Sequence, residues 1–71
     1  MKEVWIKRLK ETGINLEDLK TKAIKEIVKG TQIENKETLA KFLWKLSIYL
    51  HTQSKELEPE LEKLYSQIKG D

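Results

Sequence analysis

The feature that most constrains this chain is a stretch beginning at Lys36 that is apolar over more than half of its helical surface. Leu39, Phe42, Leu43, Leu46, Tyr49 and Leu50 recur at helical spacing as one stripe, and Ala40, Trp44 and Ile48 form a second beside it. A helix with so little polar surface is not stable alone in water. It has to be the element that the rest of the chain packs around.

The remaining segments supply partners of the right kind. Trp5 and Leu9, with Ile6 beside them, give an amphipathic helix over residues 2–12, which Gly13 ends. Asn15 is placed to cap a second helix over residues 16–29, with Asp18 near the capping-box position and Leu16, Leu19, Ala23, Ile24 and Ile27 on its apolar side; Gly30 closes it. Ile33, in the following connection, has no helical register and is expected to tuck into the core. Asn35 caps the third helix, residues 36–53. Pro59 lacks an amide hydrogen and disfavours α geometry at Glu58, so a fourth helix is expected over residues 59–69, with one long kinked helix over 36–69 as the alternative. With no hairpin signal, internal repeat or low-complexity tract, the fold class is all-α: a single domain, a small three- or four-helix bundle.

At 71 residues there is room for one small core, and the usual reinforcements are mostly missing. The absence of cysteine excludes disulfides and thiolate zinc sites, and a single histidine excludes imidazole clusters, so no metal or other cofactor is expected. No apolar run approaches the roughly 20 residues of a membrane span, and none reads as a signal peptide. The chain therefore reads as a cytoplasmic protein with no membrane partner. Lysine and glutamate dominate a charged fraction of 37%. That profile is common in thermophile proteins, where surface ion pairs gain value with temperature. The net charge of +2 is too small to argue for nucleic acid, although residues 1–45 hold 11 Lys or Arg against 7 acids and residues 46–71 hold 3 against 5.

Three groupings of residues invite chemistry. Ser47 and Ser54 each lie about one turn from His51, but hydrolysis also needs an oxyanion site and a water-excluding pocket that so small a bundle has little interior to build, so the chain is not expected to be an enzyme. Glu56, Glu58, Glu60 and Glu62 surround a helix start, where carboxylates favour the helix dipole, and they lack the alternating ligands of a calcium loop. Lys22, Lys25 and Lys29 run along one side of residues 16–29, while Lys41 and Lys45 flank Trp44. The pairs Asp18 to Lys22 and Glu37 to Lys41 dilute that basic surface at the i,i+4 spacing of a solvated helix face.

Residues 24–46, IKEIVKGTQIENKETLAKFLWKL, resemble a degenerate helix-turn-helix, with Ile27, Gly30, Ile33, Thr38, Leu39 and Leu43 filling the pattern. Val28 stands where that family has a small residue, Gln32 where it has glycine, and the spacing from Ile33 to Leu39 is one residue long. The resemblance implies that Asn35, Lys36, Glu37, Lys41 and Lys45 lie nearest the DNA, with Glu37 an unfavourable neighbour for phosphate; together with the basic face of Lys22, Lys25 and Lys29, the lysines and Asn35 make up the expected nucleic-acid surface. In size, composition and helical pattern the chain also resembles the small accessory proteins of thermophilic archaea, including small subunits that attach to the archaeal B-family replicative DNA polymerase. That resemblance implies a replication role through binding a larger protein.

The leading expectation is thus a non-catalytic interaction module, an accessory or adaptor subunit. Its partner-binding residues are Ala40, Trp44 and Ile48 on the second stripe, with Trp5 added because tryptophan is enriched at binding hot spots. A nucleic-acid-binding protein is the second expectation. The third is a small regulatory homodimer, which would cover the same stripe.

Overall fold

The computed structural model describes residues 2–70. Among them are five α-helices, joined by turns and by one 3₁₀ turn at Lys55–Leu57, and no strand: α1 (Lys2–Glu11), α2 (Leu16–Thr21), α3 (Ile24–Lys29), α4 (Lys36–Thr52) and α5 (Glu58–Lys69). None is long and apolar enough to cross a membrane. The fold is the expected all-α bundle with α4 at its centre, where Leu39, Phe42, Leu43 and Leu46 are wholly buried. Around it α1 contributes Trp5 and Leu9, α2 Leu19, α3 Ile27 and Val28, and α5 Leu61, Leu64 and Tyr65.

The local sequence explains each boundary. At the end of α1, Gly13 takes φ +85°, its N–H donates to Lys10 O at 2.9 Å and the Ile14 N–H donates to Leu9 O at 3.4 Å. This is the Schellman arrangement, which brings the residue after glycine back toward the helix's last turn. Ile14 is accordingly 4% exposed. Asn15 caps α2 by accepting from Glu17 N at 2.8 Å, and Asn35 caps α4 by accepting from Thr38 N at 3.2 Å.

Two expectations about the elements change. The single helix over residues 16–29 is two helices, α2 and α3. They are separated where Lys22 and Ala23 are extended, at ψ 154° and ψ 141°. A straight helix of that length would run about 21 Å. Breaking it lets Leu19 pack from one direction and Ile27 and Val28 from another, with both halves meeting α4. Ala23 caps α3 and is exposed, not part of an apolar face. The second change settles the open choice at Pro59. Gln53 ends α4 in the left-handed region at φ 56°, donating its N–H to Tyr49 O, so 36–69 is two helices with Pro59 in the first turn of α5.

Candidate functional site

Because α5 and α3 pack most extensively on α4, with α2 and the Trp5 ring of α1 alongside, the face they leave open is easily defined. Glu37, Lys41, Trp44, Ile48 and His51 follow one another at steps of three or four residues, so they share a line along the helix, and all five are exposed. Trp44 is 63% exposed and Ile48 38%. Ala40, four residues before Trp44, is half-buried at the stripe's edge and packs against the core. Three of the four residues assigned to partner binding are therefore together on one face. Elsewhere Val4 of α1 is a large apolar residue left open to solvent, and sequence reasoning did not single it out.

The fourth, Trp5, is not available to a partner. It is 2% exposed and lies among aromatic rings, with centroids 6.0 Å from Phe42, 6.5 Å from Tyr49 and 6.2 Å from Tyr65. The Arg8 guanidinium stands 4.6 Å from its ring centre and bonds Glu62 Oε1 at 2.7 Å, which ties α1 to α5. Trp5 organises the core because α1 has only Leu9 besides it to bury, and an aromatic residue offers the most area per position.

Beside the stripe lies an open cleft of about 460 Å³ between α1, α2 and α4. Its floor is aliphatic, formed by Ile6, Leu16, Leu19 and Leu50. Its polar lining is Lys2, Lys20, Ser47 and His51, with no carboxylate. Ser47 and His51 come three and seven residues after Trp44, so the cleft and the Trp44 stripe share a wall. Among the described residues no hydrogen bond joins Ser47 or Ser54 to His51, and no three potential metal ligands come together.

The residues assigned to nucleic acid are distributed over three elements, and most have work within the fold. Lys22 pairs with Asp18 at 3.6 Å, Lys41 with Glu37 at 3.8 Å and Lys45 with Glu60 at 3.7 Å. Asn35 is the α4 cap. Lys36 turns its ammonium to Thr31 O at 2.8 Å and Val28 O at 3.2 Å, where it satisfies carbonyls at the end of α3. Lys25 and Lys29 are exposed on α3 without an ion pair among the described residues.

The acidic segment is similarly engaged. Glu58 accepts from the Tyr49 hydroxyl at 2.7 Å, and this bond, aided by the Lys55 charge, holds its carboxyl below the usual glutamate range. The same bond, with burial, pushes the Tyr49 phenol up. Tyr65 is also raised, first by burial and then by its bond to Glu11 Oε2 at 3.0 Å. Sequence reasoning missed Arg8, Tyr65 and Glu62 as the brace between α1 and α5, because cation and carboxylate stand 54 residues apart and no local spacing links them. No family model, curated protein or solved structure matches the chain.

Proposed function

We propose that this protein is a non-catalytic interaction module that docks on a larger protein through the Ala40, Trp44 and Ile48 stripe of α4. The observation that carries the reading is Trp44, 63% exposed on the helix that otherwise forms the centre of the core. A tryptophan and an isoleucine one turn apart on a rigid helix make a preorganised apolar anchor, and such anchors concentrate binding energy at protein interfaces. The compositional resemblance to small archaeal accessory proteins makes a multi-subunit assembly, such as a replicative DNA polymerase, the first partner to test. It also favours a thermophilic source and a cytoplasmic setting.

The test is capture of partners from extract on the tagged chain after nuclease treatment, with Trp44→Ala and Ile48→Ala alongside. A discrete protein retained by the native chain should be lost on Trp44→Ala, with affinity falling by about 2 kcal/mol or more, roughly 30-fold. Thermal stability of the isolated variant should stay within about 0.5 kcal/mol of the parent, as for other surface substitutions. Trp5→Ala marks the contrast: it should cost about 3–5 kcal/mol of stability. Retention that disappears with nuclease and responds to Lys25→Ala and Lys29→Ala would transfer the function to nucleic-acid binding. Unfolding of Trp44→Ala would return that residue to the core and remove the docking stripe.

A further inference from the structure

We infer that the segment docking on this stripe is an acidic amphipathic helix, one of whose aliphatic side chains enters the cleft between α1, α2 and α4. The inference rests on the docking role of the α4 stripe and specifies the chemistry of its partner. Trp44 offers a flat apolar surface, and the wall formed by Ser47 and His51 leads directly from it into the cleft over Ile6, Leu16, Leu19 and Leu50. An aliphatic side chain suits a floor made only of Leu and Ile.

Charge then selects among apolar partners. Lys2, on α1, and Lys20, on α2, both line the cleft, and among the described residues neither forms an ion pair. His51 adds an imidazole at the same rim. Partner carboxylates flanking the inserted side chain meet these groups at the rim, where complementary charge fixes register and speeds encounter. Glu37, at the far end of the stripe, is paired to Lys41, so the partner's acids gather toward the His51 end. A second copy of this chain does not supply such a helix. Its own acidic helix, α5, buries Leu61 and Leu64 in the core and engages Glu58, Glu60 and Glu62 with Tyr49, Lys45 and Arg8.

The experiment titrates the chain with a fluorescein-labelled, end-capped 16-residue helical peptide carrying leucine at every third or fourth position and glutamate between. A peptide with lysine in place of each glutamate is the control. Saturable binding of the acidic peptide is expected, with the basic one at least tenfold weaker. Lys2→Glu with Lys20→Glu should cost at least tenfold for the acidic peptide, Ser47→Phe should do the same by filling the cleft, and circular dichroism should show both variants folded. Equal binding of the two peptides, indifference to the lysine reversals, or no binding of either overturns the inference. In each of those cases, Trp44-dependent capture of a protein from extract leaves the docking role standing. Indifference of that capture to Trp44→Ala removes both.

Discussion

Tyr49 shows how single residues in so small a core are made to serve twice. Its ring is 3% exposed beside Trp5, while its hydroxyl hydrogen goes to Glu58 Oε2 at 2.7 Å, fastening α4 to the first turn of α5. The coupling has a pH signature. Glu58 titrates lower in the native state than in the unfolded chain, so its contribution is present above the ordinary glutamate value of about 4.3 and is lost as pH falls through the depressed native value. Tyr49 titrates higher, so its share is present below the ordinary tyrosine value of about 10 and is lost as pH rises through the elevated native value. Tyr49→Phe is therefore expected to lower the urea midpoint by a constant amount between about pH 5 and pH 9, with the difference narrowing at pH 3. A difference that persists unchanged at pH 3 would assign the loss to packing and not to the Glu58 bond. The apolar positions of α4 could be read in advance because their spacing is local. Trp5, expected at the partner surface, is core instead, because its burial is decided by Phe42, Tyr49 and Tyr65, far away in sequence. Ile14 was missed although the signal was present: an aliphatic residue directly after a helix-ending glycine is what the Schellman turn folds inward.

The elements with strong stops were legible. Gly13, Asn15, Gly30, Asn35 and Gly70 each stand at a helix boundary in the sequence and in the fold. The break between α2 and α3 was not, because Thr21, Lys22 and Ala23 contain no glycine or proline and the apolar period runs through them. Tertiary packing makes that break, by rewarding two directions of approach to α4. The distinction can be tested with a substitution that acts in opposite senses on the two alternatives. Ala23 has φ −66° and Lys22 before it is extended at φ −112°, ψ 154°, the geometry proline and its predecessor prefer. Ala23 is also exposed, so a pyrrolidine ring meets solvent. Ala23→Pro should stabilise the protein by about 0.4–1 kcal/mol, through a less flexible unfolded chain. In a continuous helix over residues 16–29 the same change would cost about 3 kcal/mol. Thermal melts of the two proteins decide between these values.

At the scale of the molecule, one cluster of buried side chains receives residues from all five helices, and no side-chain polar atom buried among the described residues lacks a hydrogen-bond partner. The charged residues that dominate the composition stand outside that cluster. Among the described residues the pairs Lys22–Asp18, Lys41–Glu37 and Lys45–Glu60 are at 3.6 to 3.8 Å, with each partner substantially exposed. Pairs of this kind contribute about 0–1 kcal/mol each and weaken as added salt shortens the screening length from about 10 Å at 0.1 M to about 3 Å at 1 M. Arg8–Glu62 is tighter at 2.7 Å, but Arg8 also rests on the rings of Trp5 and Tyr65, contacts that salt disturbs less than an exposed ion pair. Taken at about 0.3 kcal/mol each, the three exposed pairs contribute about 1 kcal/mol together, so the stability of the isolated chain is set by its apolar core, and losing them translates to a midpoint change of up to about 8 °C for a domain of this size. Melts in 0.05 M and 1 M sodium chloride should agree within that margin, and far-ultraviolet circular dichroism and tryptophan fluorescence should report the same midpoint, as one cooperative core requires. A fall well beyond the margin at high salt would mean that the lysine and glutamate surface acts as a network holding the helices together, and that the charge pattern is a stability device before it is a recognition surface.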